Sequence, residues 1–172
     1  MEFYIEEIVE RKKTPLQVLT VLGLSLACLA MAGFVFMVLM PMVPMFGSML
    51  FMLLVLMFYL AYQLAVSFNV EFEYSMVNSE IDIDKIVNQR KRKRLTTVDV
   101  KKLEAFGMVN ESSEFAKFAS DISIKKIYAA RERKASDSYF AVYTDNGIRT
   151  LLVFNPGDKI IDMIEKLKPK KY

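Results

Sequence analysis

The sequence predicts an α+β membrane protein, with a transmembrane helical hairpin followed by a cytoplasmic antiparallel β-sheet or partial barrel and a C-terminal α-helix. Three observations predict this fold class. Residues 14–70 contain no charged side chain, much of residues 71–154 alternates between polar and apolar positions, and the last apolar positions of the chain follow helical spacing. The charged residues are therefore separated from the apolar ones along the chain.

Residues 1–13 predict a short amphipathic juxtamembrane helix. Its partial apolar face consists of Phe3, Ile5, Ile8 and Val9. The basic residues Arg11, Lys12 and Lys13 follow this face, next to the expected headgroup region. A helix of this kind lies along the membrane surface rather than across it.

Residues 14–69 predict a transmembrane hairpin, because one crossing takes roughly 20 apolar residues at about 1.5 Å each. Pro41 and Pro44 interrupt the block near its middle. Two spans are expected, at about residues 16–40 and 45–68, and Pro15 suits the first turn of span one.

Two processing events are alternatives to this hairpin. Basic residues before an apolar stretch also occur in signal peptides, but about 25 apolar residues exceed the 7–15 of a signal core. Residues 24–28 (LSLAC) are similar to a lipoprotein cleavage site, although Ser25 stands where that site has leucine. Otherwise Cys28 is a small apolar residue packed in a helix.

The basic residues predict the orientation of the hairpin. Arg11, Lys12 and Lys13 precede span one, whereas the turn between the spans is uncharged. Positive charge stays on the cytoplasmic side, so both termini are expected in the cytoplasm of a bacterial cell, at its inner membrane. The absence of ionisable residues from the spans argues against an ion pathway.

Small residues in the spans are spaced for close helix contact, either within the hairpin or at a homodimer face. They are Gly23, Ala27 and Ala30 on span one and Ala61 and Ala65 on span two.

Residues 70–172 predict a sheet-rich domain. Residues 70–77 and 80–87 alternate as strands, residues 95–106 and 122–130 read as two more, and a polar stretch at 110–121 separates them. The clearest hairpin joins residues 138–144 to 148–154 through Asn146-Gly147, which suits the left-handed backbone of a type I′ turn.

A C-terminal helix is expected at residues 156–168. Asn155 is a candidate N-cap, Pro156 fits the first helical position, and Asp158 complements the helix dipole. The apolar stripe consists of Ile160, Ile161, Ile164 and Leu167, and Pro169 ends the helix.

The residue inventory argues against most enzyme chemistry. The chain has no histidine and one cysteine, and its six glycines form no phosphate-binding loop. A zinc site and a histidine-based triad are excluded. We therefore expect no enzyme activity, no catalytic residue, no metal and no cofactor.

Four segments carry a resemblance to known proteins: residues 12–16 (KKTPL), 69–74 (NVEFEY), 82–86 (DIDKI) with 90–94 (RKRKR), and 151–154 (LLVF) with Pro156. On these segments the chain resembles a family of uncharacterised two-span membrane proteins of Gram-positive anaerobic bacteria. Its soluble part resembles bacterial pleckstrin-homology-like (PH-like) domains. The resemblance implies an architecture and no activity.

The strongest candidate site is the basic run, residues 90–94. It comprises Arg90, Lys91, Arg92, Lys93 and Arg94, with Lys101 and Lys102 as further candidates. Anchored near an anionic leaflet, each such residue contributes about 1 kcal/mol of attraction. The alternative is a solvated hairpin end paired with nearby acids. No aromatic residues interleave with the run, so a nucleic-acid partner is not expected.

Together these features predict a membrane-anchored binding or scaffold protein, whose PH-like domain meets a protein partner or anionic lipid headgroups. The alternative is an accessory subunit of a membrane complex that acts through its transmembrane hairpin.

Overall fold

The computed structural model describes residues 4–110, 113–132 and 137–169. The chain forms two compact units. Residues 13–69 form a helical unit, and residues 1–12 together with 70–172 form a β-rich unit. The apolar block is thus inserted into the β-rich unit rather than placed before it.

The helical unit contains two apolar helices. α1 (Pro15–Phe34) continues through a π-helical turn (Val35–Leu39) into the short α2 (Met40–Met42), and a 3-10 turn (Pro44–Phe46) leads into α3 (Gly47–Ser67). The resulting helical segments of 28 and 24 residues are long and apolar enough to cross a membrane. Only 11% and 6% of their most apolar windows are buried within the described structure.

Local chemistry sets the ends of the first helix. Thr14 and Gln17 form a capping box, in which the Gln17 N–H donates to Thr14 Oγ1 and the Thr14 N–H donates to Gln17 Oε1. At the other end, Pro41 has no N–H and its ring crowds the carbonyl four residues earlier. The π-helical turn, where the Met40 N–H bonds the Val35 carbonyl, lies just before this proline.

The β-rich unit is built from two four-stranded sheets. The first has the order β1 (Tyr4–Glu10), β2 (Val70–Val77), β3 (Glu80–Val87), β4 (Lys91–Asp99), all antiparallel. The second has the order β5 (Leu103–Met108), β7 (Tyr139–Asp145), β8 (Ile148–Phe154), β6 (Lys125–Ala129). A 3-10 turn (Val100–Lys102) connects the sheets, and the helices are α4 (Ser113–Ser120) and α5 (Asp158–Leu167).

Two buried clusters hold the layers together. The larger contains Tyr74, Ile83, Phe154 and, from α5, Ile160 and Ile164, all at most 1% exposed. It lies between the sheets. On the other face of the second sheet, Phe140 and Val153 pack under Phe115 and Phe118 of α4. Because both faces of β8 are buried, that strand reads as a continuous apolar run.

The predicted helix at residues 1–13 is wrong over residues 4–10, which form β1; Phe3 lies outside the described residues. Ile5, Ile8 and Val9 do match helical spacing, but Ile5 and Val9 face the core while Ile8 is exposed. Glu7 shares the inner face, where its Oε2 accepts the Gly157 N–H at 2.6 Å. In a capping box, the side chain at helix position N3 accepts the N–H of the N-cap residue, and here the Glu7 carboxylate from β1 accepts the N–H of Gly157 in its place.

β1 and β2 are the two arms of one antiparallel hairpin, from Tyr4 opposite Val77 to Glu10 opposite Glu71. The Arg11 N–H extends the ladder to the Val70 carbonyl at 2.9 Å. The connection between these paired strands is the whole apolar helical unit. Neighbouring strands of one sheet share one aqueous phase, so a membrane-inserted connection must cross an even number of times.

The remaining differences from the sequence expectations are local. The expected strand at 95–106 is two strands in different sheets, residues 113–120 form a helix, and β6 pairs with β8 in parallel. α5 begins at Asp158 with Gly157 as N-cap, not at residue 156 with Asn155 as cap. The buried Asn155 side chain instead accepts the Arg131 N–H and donates to the Asp137 carbonyl.

Candidate functional site

The basic run starts in a tight turn between β3 and β4. Asn88 and Gln89 both have left-handed backbone, with φ of 52° and 53°, and the Arg90 N–H donates to the Val87 carbonyl at 3.2 Å. Two consecutive left-handed residues match the right-handed twist of the strands on either side. Asparagine tolerates this conformation, whereas glutamine, with a longer side chain, adopts it at a cost.

Alternation along β4 divides the run between two faces of the sheet. Arg92 and Arg94 lie on the outer face, where Arg92 pairs with the Glu73 carboxylate and Arg94 Nη2 lies 3.0 Å from Asp82 Oδ2. Both arginines also approach Asp84, with Arg94 Nε 3.1 Å from Oδ1 and Arg92 Nε 3.9 Å from Oδ2. The hydrogen bond from Arg94 to Asp84 raises the pKa of the Arg94 guanidinium.

The acids beneath these arginines are buried. Glu73 is 4% exposed and Asp84 6% exposed, and the two residues are direct cross-strand partners. Like charges in this arrangement repel each other and have lost most of their hydration. Arg92, in contact with both, compensates the pair. Arg92 and Arg94 are therefore paired with acids of the same sheet. Two of these acids, Asp82 and Asp84, are among the nearby acids that the hairpin-end alternative expects as partners.

The other half of the run lies on the inner face. Lys93 is the cross-strand partner of Lys85, and Lys91 that of Val87. Cross-strand partners share a face, so Lys85, Lys91 and Lys93 are on one side of the sheet. Neither these three lysines nor Arg90 forms an ion pair with another described residue. We call Lys85, Arg90, Lys91 and Lys93 the free basic cluster.

Lys101 and Lys102 are not part of this cluster. They lie in the 3-10 turn after Asp99, which pairs with Glu80 at the opposite end of β3. Lys102 Nζ contacts Asp99 Oδ2 at 3.3 Å. The sequence-based prediction therefore grouped Lys101 and Lys102 with a basic run that lies at the other end of the sheet, and it omitted Lys85. The alternation in residues 82–86 carried the missing signal, since it places Lys85 on the face of Ile83.

The free basic cluster lies at a defined end of the first sheet. Val87, the last residue of β3, is opposite Val70, and Glu71 is opposite Glu10. The chain leaves the β-rich unit after Lys12 and re-enters it at Val70. The turn that carries Arg90 is therefore at the end of the sheet from which both strands continue into the apolar helices.

The small residues of the two apolar helices differ in how far they are buried. Cys28, at 3% exposure, is buried between the helices. Ala61 and Ala65 are half-buried, whereas Gly23, Ala27 and Ala30 are exposed. A Cβ added at Gly23 would meet nothing within 4 Å, so this glycine is not required for contact between the two helices.

A cavity in the β-rich unit, beside the start of α5, is a second candidate site. This cavity has a volume of about 500 Å³, and its lining includes Glu7, Arg131, Tyr139, Asn155 and Asp158. The lining mixes both charges, and the Glu7 and Asn155 side chains are engaged in holding α5 and the segment before it. Among the described residues, no group of acidic or cysteine side chains is arranged to hold a metal ion.

Comparison with known proteins agrees with the architecture. A family model described as "Bacterial PH-like domain (DUF6106)" matches residues 1–172. No curated protein and no solved structure matches the chain. The match includes β1 and both apolar helices, so the insertion of the helices between β1 and β2 lies within the extent of the family.

Proposed function

The chain belongs to the family of bacterial PH-like domains, and on this basis we propose that it is a two-span membrane protein that holds a PH-like binding module at the cytoplasmic face of the cell membrane. The module acts as a scaffold for a protein partner or for anionic lipid headgroups. The proposed role is binding without catalysis, in keeping with a chain that has no histidine and whose one cysteine is in an apolar helix.

The observation that carries this proposal is the insertion of the helices between β1 and β2. Two spans return the chain to its starting side, as the pairing of these strands requires. Cleavage within α1, as in a signal peptide or lipoprotein, would remove β1 and expose the edge of β2. The basic residues before α1 and the uncharged turn at 41–47 favour the cytoplasm for the β-rich unit.

Cysteine labelling tests this topology. In a Cys28→Ala background we expect Met45→Cys, in the turn between the spans, to react with a membrane-impermeant maleimide on intact cells. Ile122→Cys, in the β-rich unit, should react only after lysis. Met45 is 92% exposed and Ile122 97% exposed within their own units, so a difference in labelling reports membrane sidedness. Labelling of Ile122→Cys on intact cells would contradict the proposed orientation.

The accessory-subunit function is a second candidate, which the surface of the helices favours. Two apolar grooves of about 330 and 270 Å³ flank the contact between α1 and α3, and Cys28 and Ala61 line both. Replacing residues 15–67 with an unrelated two-span hairpin separates the candidates. A binding module should retain the partners recovered by crosslinking in native membranes, whereas an accessory subunit should lose them.

A further inference from the structure

The free basic cluster contains four positive charges that form no ion pair with any residue the structure describes. The adjacent Arg92 and Arg94 show that acids are within reach of this strand, yet all their ion pairs are on the outer face. On the inner face, Lys85 and Lys93 are direct partners with like charge. Such a pair destabilises a sheet, and an anion between the two charges would relieve their repulsion.

The turn beside the cluster is also costly to form. Gln89 keeps left-handed backbone where glycine would be relaxed, and its side chain Nε2 donates to Glu71 Oε1 at 3.3 Å. Strained backbone is concentrated at binding sites, where it fixes the direction of the groups beside it. Here the strained residue immediately precedes Arg90 and Lys91. The left-handed residue and the unpaired positive charges therefore lie at the same place.

The position of the cluster indicates where that anion comes from. Arg90 and Lys91 are at the end of the sheet that continues through Lys12 and from Val70 into the helices. Two residues, Phe68 and Asn69, separate Ser67, the end of α3, from Val70. If the helices are in the membrane, as proposed above, a short covalent link keeps this end of the sheet near the leaflet.

We propose that Lys85, Arg90, Lys91 and Lys93 form a docking surface for the anionic lipid headgroups of the leaflet in which the protein is itself anchored. This inference rests on the proposed function and identifies the ligand of the module. Docking fixes the β-rich unit against the membrane by the end of the first sheet that carries the cluster. Each basic residue at an anionic surface changes the docked population about fivefold.

Hydrogen exchange of the full chain in nanodiscs tests the proposal. In phosphatidylcholine discs that contain phosphatidylglycerol, we expect exchange in peptides spanning residues 84–93 to be at least about fivefold slower than in pure phosphatidylcholine discs. The difference should shrink as salt shortens the screening length from about 10 Å at 0.1 M to about 3 Å at 1 M. Inorganic phosphate added to the pure phosphatidylcholine discs should produce no slowing.

Two variants of equal charge provide the control. The test variant carries Lys85→Gln, Arg90→Gln, Lys91→Gln and Lys93→Gln. The matched variant carries Lys101→Gln, Lys117→Gln, Lys125→Gln and Lys166→Gln. We expect the test variant to lose the lipid-dependent protection and the matched variant to keep it. Thermal unfolding should show that the test variant is folded, because its changes also remove the repulsion between Lys85 and Lys93.

Three results would overturn the docking surface: equal exchange in both lipid mixtures, loss of protection in both variants, or protection by inorganic phosphate alone. A ligand that is a cellular protein partner gives the first result, since the discs contain no such partner. Failure of the chain to enter the discs, or labelling of Ile122→Cys on intact cells, would instead refute the proposed function. The two failures are thus distinguishable.

Discussion

Replacing Arg92 with alanine is expected to lower the free energy of unfolding by about 2–3 kcal/mol, more than any other single change in the basic run. The change leaves the buried Glu73 and Asp84 carboxylates opposite each other without the cation that contacts both. Removing one partner of a buried ion pair costs about 3–5 kcal/mol. The Arg92 side chain is 55% exposed, so water can partly replace it and the expected cost is lower.

Denaturant unfolding of the full chain in detergent measures this effect, and Lys93→Ala is the matched control. Lys93 is adjacent in sequence but faces its like-charged partner Lys85, so its removal should change stability by less than about 0.5 kcal/mol. In a Glu73→Gln background the cost of Arg92→Ala should fall, because one of the two charges is gone. Equal costs for Arg92→Ala and Lys93→Ala would mean that the division of the run between two faces is wrong.

Tyr74→Phe is expected to destabilise the protein by about 2–3 kcal/mol, although it removes one oxygen atom. Tyr74 is fully buried, and its hydroxyl donates to the Ala129 carbonyl and accepts from the Asn155 N–H at 3.3 Å. Phenylalanine would remove both of these hydrogen bonds from a fully buried position. The hydroxyl also joins β2 of the first sheet to the ends of β6 and β8 in the second.

Tyr143→Phe is the control for Tyr74, because its ring is buried to a similar extent. Among the described residues its hydroxyl bonds only the Thr96 hydroxyl, at 2.5 Å, so one hydrogen bond is lost rather than two. We expect a cost of about 1 kcal/mol, measured in the same unfolding experiment. A Tyr74→Phe cost no larger than that of Tyr143→Phe would contradict the bridging role of Tyr74.

Burial raises the pKa of Tyr74 above that of an unfolded tyrosine. The unfolded state therefore loses its proton first as pH rises. The contribution of this residue to stability is complete below a pH of about 10 and decreases above it. Between pH 9 and 11 the stability of Tyr74→Phe should fall less steeply than that of the unsubstituted protein.

The sequence predicted elements whose partners are close in the chain. Residues 70–77 and 80–87 are strands with those bounds, and Asn146-Gly147 has the left-handed backbone, with φ of 49° and 79°, that a type I′ turn requires. β1 was mistaken for a helix because its pairing partner is β2, beyond the whole apolar block. No local pattern reveals such a partner. The division of residues 95–106 likewise depends on which sheet each half joins.

The candidate site could be predicted only in outline. Strand alternation implied that about half of the basic run would share a face. Which half remained unpaired depended on the register of β3 against β4, including the irregularity between Ile83 and Asp84. The acids that neutralise Arg92 lie on two other strands, and Lys85 belongs to the cluster only through that register.

The insertion of the helices into the β1–β2 hairpin also determines the order in which parts of the fold can form during synthesis. β1 leaves the ribosome first but has no partner until β2 follows. At about 5–20 residues per second, this takes roughly 3–12 s. During that interval the intervening helices are synthesised and can enter the membrane. β1 can pair with β2 only afterwards, and only if both strands are on the same side of the membrane. If the helices cross the membrane as proposed, the fold is completed only in chains that insert both spans, and a chain that enters with a single span would leave the edge of β2 unpaired.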